Sequence, residues 1–103
     1  MSEESMQRED FELLFEKAVK YARENKDELE KKTNNEQRLN FYALFKQATV
    51  GNCNTERPGG LFNWERKAMW DAWDELKYKF IKNPKKMYVD YLTSFFPEWN
   101  TSS

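Results

Sequence analysis

Apolar residues in this chain recur every three to four positions, the period that lines one side of an α-helix. Phe11, Leu14, Phe15, Ala18 and Ala22 trace a first stripe that fades near Asn25. Lys26 to Asn35 is then dense in charge, with Glu28, Glu30, Lys31 and Lys32, and poor in apolar residues. It reads as a solvated connection that adds at most a helical turn. Thr33-Asn34-Asn35 follows as a loop that caps the next helix. That helix is expected from about Asn35 to Val50, where Gly51 suits the left-handed position that ends a helix. Asn52 to Gly60 reads as a loop stiffened by Pro58. A third helix starts near Asn63, a capping residue, and continues through Trp64, Ala68, Trp70, Trp73 and Leu76 toward Phe80. Asn83-Pro84 has the order of a cap and first turn, opening a fourth helix. Its stripe is Met87 or Tyr88, Tyr91, Leu92, Phe95 and Phe96, and Pro97 stops it. No run alternates with the period of a strand, so the pattern predicts an all-α domain of four helices. Residues 1–8 are expected as a disordered acidic lead-in, 9–97 as the domain and 98–103 as a flexible tail.

Composition changes this picture in two ways. The chain has 103 residues, enough for one core, and its 34% charged and 39% hydrophobic content is ordinary for a soluble domain. Aromatics reach 17%, more than a helical core of this size needs, so some rings face something flat. On the second helix Leu39, Tyr42, Phe45 and Lys46 share a side, joining two rings to a cation. A solvated face has no need of rings, and a dry core has no use for lysine. An amphipathic ligand bearing a flat ring and a phosphate suits both. Trp70 and Trp73, three apart, are expected to fill volume between helices.

Charge and missing residue types narrow the chemistry. With 17 basic and 18 acidic residues the net charge is −1, which supplies no basic stripe for nucleic acid. The absence of histidine removes histidine-based acid–base catalysis, histidine-activated nucleophiles and the usual zinc ligand sets. A lone Cys53 cannot form an internal disulfide or an all-cysteine metal site, and it reads as a small residue in a reduced protein. The acidic start lacks the apolar run of a secretory leader, so the Asn100-Thr101-Ser102 sequon carries no weight. No stretch approaches the roughly 20 apolar residues of a bilayer span, so no stable membrane insertion is expected.

The residues Tyr42-Ala43-Leu44-Phe45-Lys46-Gln47-Ala48-Thr49-Val50-Gly51, Asn54-Thr55-Glu56-Arg57-Pro58-Gly59 and Lys67-Ala68-Met69-Trp70-Asp71-Ala72-Trp73 strongly resemble the acyl-CoA-binding protein family. The resemblance covers about residues 11–96. It implies an all-α four-helix bundle in up-down-down-up order, and a cytoplasmic carrier and pool former for medium- and long-chain acyl-CoA esters. No catalysis, metal or cofactor is implied. By position, Tyr42 directs its hydroxyl at the ribose 3′-phosphate, with Ala43 and Leu44 in the same ligand-contacting run. Phe45 keeps the ring of a family tyrosine without its hydroxyl, and Lys46 matches a phosphate-pairing lysine. Tyr88 matches the tyrosine on the adenine side, and Arg23 a basic residue of the first helix. Phe15, Ala18 and Leu39 are expected to line the acyl chain and pantetheine arm.

Three departures bear on affinity. Met69 stands where the family places a phosphate-contacting lysine, and is expected to pack beside the ligand. Glu65 replaces an earlier lysine of that helix. The loop ahead of it carries an extra glycine at Gly59-Gly60, and the first loop is also longer. Arg66, one turn before Met69, is positioned to supply the missing cation. A charged hydrogen bond contributes roughly 1.5–3 kcal/mol, whereas burying about ten methylenes contributes on the order of 8 kcal/mol before ordering costs. The tail term is larger, so acyl-CoA is expected to bind with weaker selection for the 3′-phosphate. The alternative is a helical protein-interaction module that kept the fold and lost the ligand. A thioesterase built on Cys53 is disfavoured by the lack of any activating base.

Overall fold

The computed structural model describes residues 3–79 and 81–100, with side-chain surroundings from Phe11 onward. Five α-helices are present among these residues: α1 Glu3–Glu24, α2 Lys26–Lys32, α3 Asn35–Thr49, α4 Trp64–Glu75 and α5 Pro84–Phe95. A 3₁₀ turn, Leu76–Tyr78, follows α4.

Several boundaries differ from expectation. α1 begins at Glu3 and runs through most of the stretch expected to be a disordered lead-in. No glycine or proline interrupts that stretch, and carboxylates near a helix start meet the positive end of the macrodipole. The charged run after Asn25 is the helix α2, not an irregular connection. Asp27 and Glu28 occupy its first turn and Lys31 and Lys32 its last, an order that complements the dipole. Leu29, half-buried, anchors it to the core. The break between α1 and α2 falls at Asn25, whose Nδ2 donates to the Tyr21 carbonyl at 2.9 Å. α4 stops at Glu75, short of the expected run toward Phe80, which lies outside the described residues.

The caps divide in the same way. Asn34 and Gln37 form a reciprocal capping box at α3: Asn34 Oδ1 accepts from Gln37 N at 2.8 Å and Gln37 Oε1 from Asn34 N at 2.9 Å. Asn83 Oδ1 accepts from Lys86 N, with Pro84 in the first turn of α5. Gly51 adopts φ 100°, the left-handed conformation expected of it. Asn63 stands at the cap position of α4 without capping it; its Nδ2 donates to the Gly59 carbonyl at 2.6 Å and so closes the preceding loop.

α3 lies at the centre, packed against α4 on one side and α5 on another, while α1 packs on α5. Contacts between α1 and α5 ascend together, from Glu12–Lys85 through Phe15–Tyr88 to Tyr21–Phe96. The first and last helices therefore run parallel, as the up-down-down-up order requires. The core is built from Phe15, Ala18 and Ala22 of α1, Phe41 and Leu44 of α3, Tyr88, Val89 and Leu92 of α5, and Phe96 and Trp99 beyond it.

The stretch expected as a flexible tail is docked as far as it is described. Trp99 is 9% exposed, tilts against Tyr21 at 5.9 Å, and donates its Nε1 proton to Thr93 Oγ1 at 2.9 Å. Pro97 ends the helix, and the turn after it folds the indole back. Residues 101–103 lie outside the description. Removing an indole from a packed site costs roughly 3–5 kcal/mol. Trp99→Ala is accordingly expected to lower the urea midpoint sharply, and Trp99→Phe to cost about 1 kcal/mol for the lost hydrogen bond. A midpoint unmoved by Trp99→Ala would show the turn to be loose.

Candidate functional site

The exposed side of α3 carries Tyr42, and that ring stands between two adjoining hollows. The first, about 410 Å³, opens between α1, α3 and α5 and is walled by Val19, Phe41, Tyr42, Phe45 and Tyr88, with Arg23 and Lys26 also bordering it. The second, about 340 Å³, lies between α3, the following loop and α4. Tyr42, Lys46, Arg66, Met69, Trp70 and Trp73 border it, together with Thr55, Glu56 and Pro58 of the loop.

Ring contacts hold the first hollow rigid. Phe45 stacks on Phe15 at 6.4 Å, and the Arg23 guanidinium lies 5.7 Å over the Phe45 ring. Tyr88 meets Phe15 edge-on at 5.3 Å and Phe41 edge-on at 5.7 Å. Burial pushes the Tyr88 phenol up to about 12, against the opposing pull of the Arg23 charge. The phenol therefore remains a neutral donor throughout the physiological range.

The second hollow is held by polar contacts. Trp73 is buried and donates its Nε1 proton to the Gly51 carbonyl at 2.8 Å, which fixes the face on which Lys46 rests. Lys46 Nζ lies 4.8 Å over that indole, a cation held at the rim by a ring. Trp70 Nε1 reaches the carbonyl and hydroxyl oxygens of Thr55, each at 3.1 Å, and ties the loop wall to α4. Arg57 adds a two-pronged pair to Asp71, at 2.8 and 2.9 Å. That hydrogen bond holds the Asp71 carboxyl below its ordinary range and raises the Arg57 guanidinium. The pair is exposed and serves to place the loop rather than to stabilise the fold.

The residues singled out in the sequence separate into two groups. Arg23, Tyr42, Phe45 and Tyr88 meet at the first hollow, and Tyr42, Lys46, Arg66 and Met69 at the second. Ala43 and Leu44 are not brought there. Both are buried, and they face a separate depression with Leu76, Ile81 and Met87, because one and two helical steps of about 100° each turn them away from Tyr42. Phe15 and Ala18 are core residues; Phe15 backs the Phe45 ring, and Ala18 is fully buried. Leu39, half-buried, borders neither hollow. Glu65 does not border the second hollow, whereas Glu56 does. Sequence reasoning missed Val19 and Lys26; Val19 and Arg23 share a side of α1, a signal present in the spacing, whereas Lys26 lies beyond the break at Asn25. It also gave Trp70 and Trp73 to volume filling. Trp73 does fill volume, and its face additionally seats Lys46. No cluster of metal-binding side chains occurs among the described residues.

This pairing of a ring-walled recess with a cation-rimmed one defines a helical ligand-binding domain. A family model described as acyl CoA binding protein matches residues 12–92, and the chain belongs to that family. It is 34% identical over 88 residues to acyl-CoA-binding protein 2 of Saccharomyces pastorianus, covering 85% of this chain and 95% of that one. Over 64 residues it is 42% identical to acyl-CoA-binding protein homolog 3 of Caenorhabditis elegans, covering 62% of this chain. The chain spans about half of the worm protein's length, 54%, in that match. Among solved structures, the crystal structure of Oryza sativa acyl-CoA-binding protein 2 matches with a TM-score of 0.65 and 33% identity. That match covers 87% of this chain and 98% of the rice chain.

The raised Tyr88 phenol makes stability depend on pH at the alkaline end. A folded-state pKa above the unfolded one means that the folded chain holds its proton longer, so stability is full below about pH 10 and falls as pH rises toward 12. The loss from this group is on the order of 2–3 kcal/mol. Urea unfolding at about pH 9 and about pH 12 is expected to show a smaller fall for Tyr88→Phe than for the parent chain. Equal falls in the two proteins would remove Tyr88 as the cause.

Proposed function

We propose that the protein binds fatty acyl-CoA esters along the two joined hollows and serves as an intracellular carrier and pool former for them. The observation that carries this reading is the position of Tyr42, which borders both recesses and makes them neighbours across a single ring. A nucleotide thioester presents a flat base, a phosphate and an apolar tail, and each has a counterpart here. The base packs against Phe45 and Tyr88. The 3′-phosphate lies among the Tyr42 hydroxyl, Lys46 and Arg66, with Arg66 replacing the cation lost at Met69. The tail lies against Met69, Trp70 and Trp73, where apolar and aromatic surface gathers. Burial of the tail supplies most of the affinity and the charged contacts supply orientation. Among the described residues no helix is long and apolar enough to cross a membrane, which suits a freely diffusing carrier.

Glu56, bordering the second hollow, favours the other reading, in which the fold persists without the ligand. A melting temperature that rises with acyl-CoA concentration, and more for longer chains, separates the two. Calorimetric titration with esters of graded length is expected to show affinity rising with length, with free CoA far weaker. Free CoA matching its long-chain ester would sink the proposal. Lys46→Ala and Arg66→Ala are each expected to weaken binding of the ester roughly 10- to 100-fold, and both effects to shrink with dephospho-CoA. An unchanged dissociation constant for Arg66→Ala would return the phosphate to Lys46 and Tyr42 alone.

A further inference from the structure

We propose that the described residues of the stretch 77–86, with the exposed face of α5 beside them, dock the protein on an anionic lipid surface. Five of the 17 basic residues fall in these ten positions, which contain none of the 18 acids. Twelve basic residues are left to face eighteen acidic ones in the rest of the chain. Three of those acids, Asp74, Glu12 and Asp90, pair back onto Lys77, Lys85 and Lys86, so the local excess of positive charge rests on Lys79 and Lys82.

The fold gathers these charges around apolar side chains. Met87, 44% exposed, borders two adjoining depressions. Lys79 and Ile81 border one of them; Phe11, Lys82 and Lys86 border the other. Lys79, Lys82 and Lys86 thus border the depressions beside one exposed thioether, and Asp90, paired with Lys86, borders one of them too. Tyr78, 78% exposed, stands between Lys77 and Lys79, with Lys77 Nζ 5.1 Å over its ring. Packing does not account for leaving so large a ring in water. It sits on the turn where α4 ends early, held out on a short 3₁₀ segment.

The state of each lysine favours lipid over an acidic peptide. Lys77 is paired with Asp74 at 2.8 Å, Lys85 with Glu12 at 2.7 Å and Lys86 with Asp90 at 2.8 Å. Among the described residues Lys79 and Lys82 have no carboxylate within ion-pair distance. A peptide would need its carboxylates spaced to two particular lysines. Lipid headgroups are mobile and gather beneath whichever cations are free, while Tyr78 and Met87 enter the boundary between headgroups and chains. Such docking is peripheral. It places a carrier of amphiphiles against the phase into which amphiphiles partition, and Tyr88, a wall of the first hollow, is the next residue after Met87.

The test uses the full chain without acyl-CoA, so its outcome is independent of the ligand proposed above. Co-sedimentation with phosphatidylcholine vesicles containing about 30 mol% phosphatidylserine is expected to exceed that with phosphatidylcholine alone, and to vanish near 0.5 M salt. The double variant Lys79→Gln/Lys82→Gln is expected to bind the anionic vesicles about 30-fold more weakly. Its melting temperature should be unchanged, because both side chains are exposed and unpaired. Equal binding to neutral vesicles would overturn the proposal and assign attachment to the exposed Leu61, Phe62 and Trp64. Vesicle binding indifferent to the double substitution, or lysine-dependent capture of an acidic peptide without vesicle binding, would overturn it as well.

Discussion

The structure depends on the edge-to-face contacts that Tyr88 makes with Phe15 and Phe41. Those three rings come from α5, α1 and α3, so one cluster joins three helices that are distant in sequence. Edge-to-face geometry is directional, and it fixes the rotation of each helix about its axis as well as the spacing. Once α3 is so oriented, Phe45 falls over Phe15, Tyr42 is turned outward, and Lys46 comes to rest on the side of α4. The first hollow is what remains between rings that cannot approach further. Its shape is thus a by-product of core packing, and a tyrosine of the core is also a wall of the site.

The second hollow follows a different rule. Its walls are a helix and an irregular loop, and a loop has no core of its own to hold it. Indole N–H groups do that work: Trp73 fastens the start of the loop at Gly51, and Trp70 fastens its middle at Thr55. Each tryptophan donates to a backbone carbonyl of the loop, and each borders the recess. Among the described residues no carboxylate lies within ion-pair distance of the cation over Trp73, so Lys46 would be available to a phosphate on the proposed reading. Had Lys46 been paired with an acid, an anionic ligand would first have to break that pair.

Much of this was legible in the sequence where a residue obeys a local rule. Thr33-Asn34-Asn35, Gly51 and Asn83-Pro84 punctuate the helices because capping and left-handed turns depend on neighbours a few positions away. Three members of the α3 face, Tyr42, Phe45 and Lys46, reach the hollows by helical period alone, whereas Leu39 of the same stripe borders neither. The readings that missed depend on distant partners. Trp99 looked like part of a loose tail until Tyr21 and Thr93 were seen to receive it. The run after Asn25 looked too polar for structure, yet one half-buried leucine and ordered end charges are enough to keep a short helix attached. Ala43 and Leu44 were grouped with the ligand because they sit inside a matching motif; a motif records a stretch, whereas a helix deals its members to different sides.

The two missing lysines of the family pattern bear on what this arrangement selects. On the proposed reading, methionine at 69 in place of a lysine removes one charged contact but adds apolar surface beside Trp70 and Trp73, against which the tail would pack. That exchange would shift binding energy from the phosphate, which all CoA esters share, toward the chain, by which they differ. Arg66, exposed and one turn away, can restore the charge only with a longer and more mobile side chain, and ordering it costs more entropy than ordering a half-buried lysine. On the reading proposed above, such a protein would discriminate among esters by tail more than by the shared nucleotide, because Met69, Trp70 and Trp73 border the recess from a helix while the cation offered to the phosphate is the exposed Arg66.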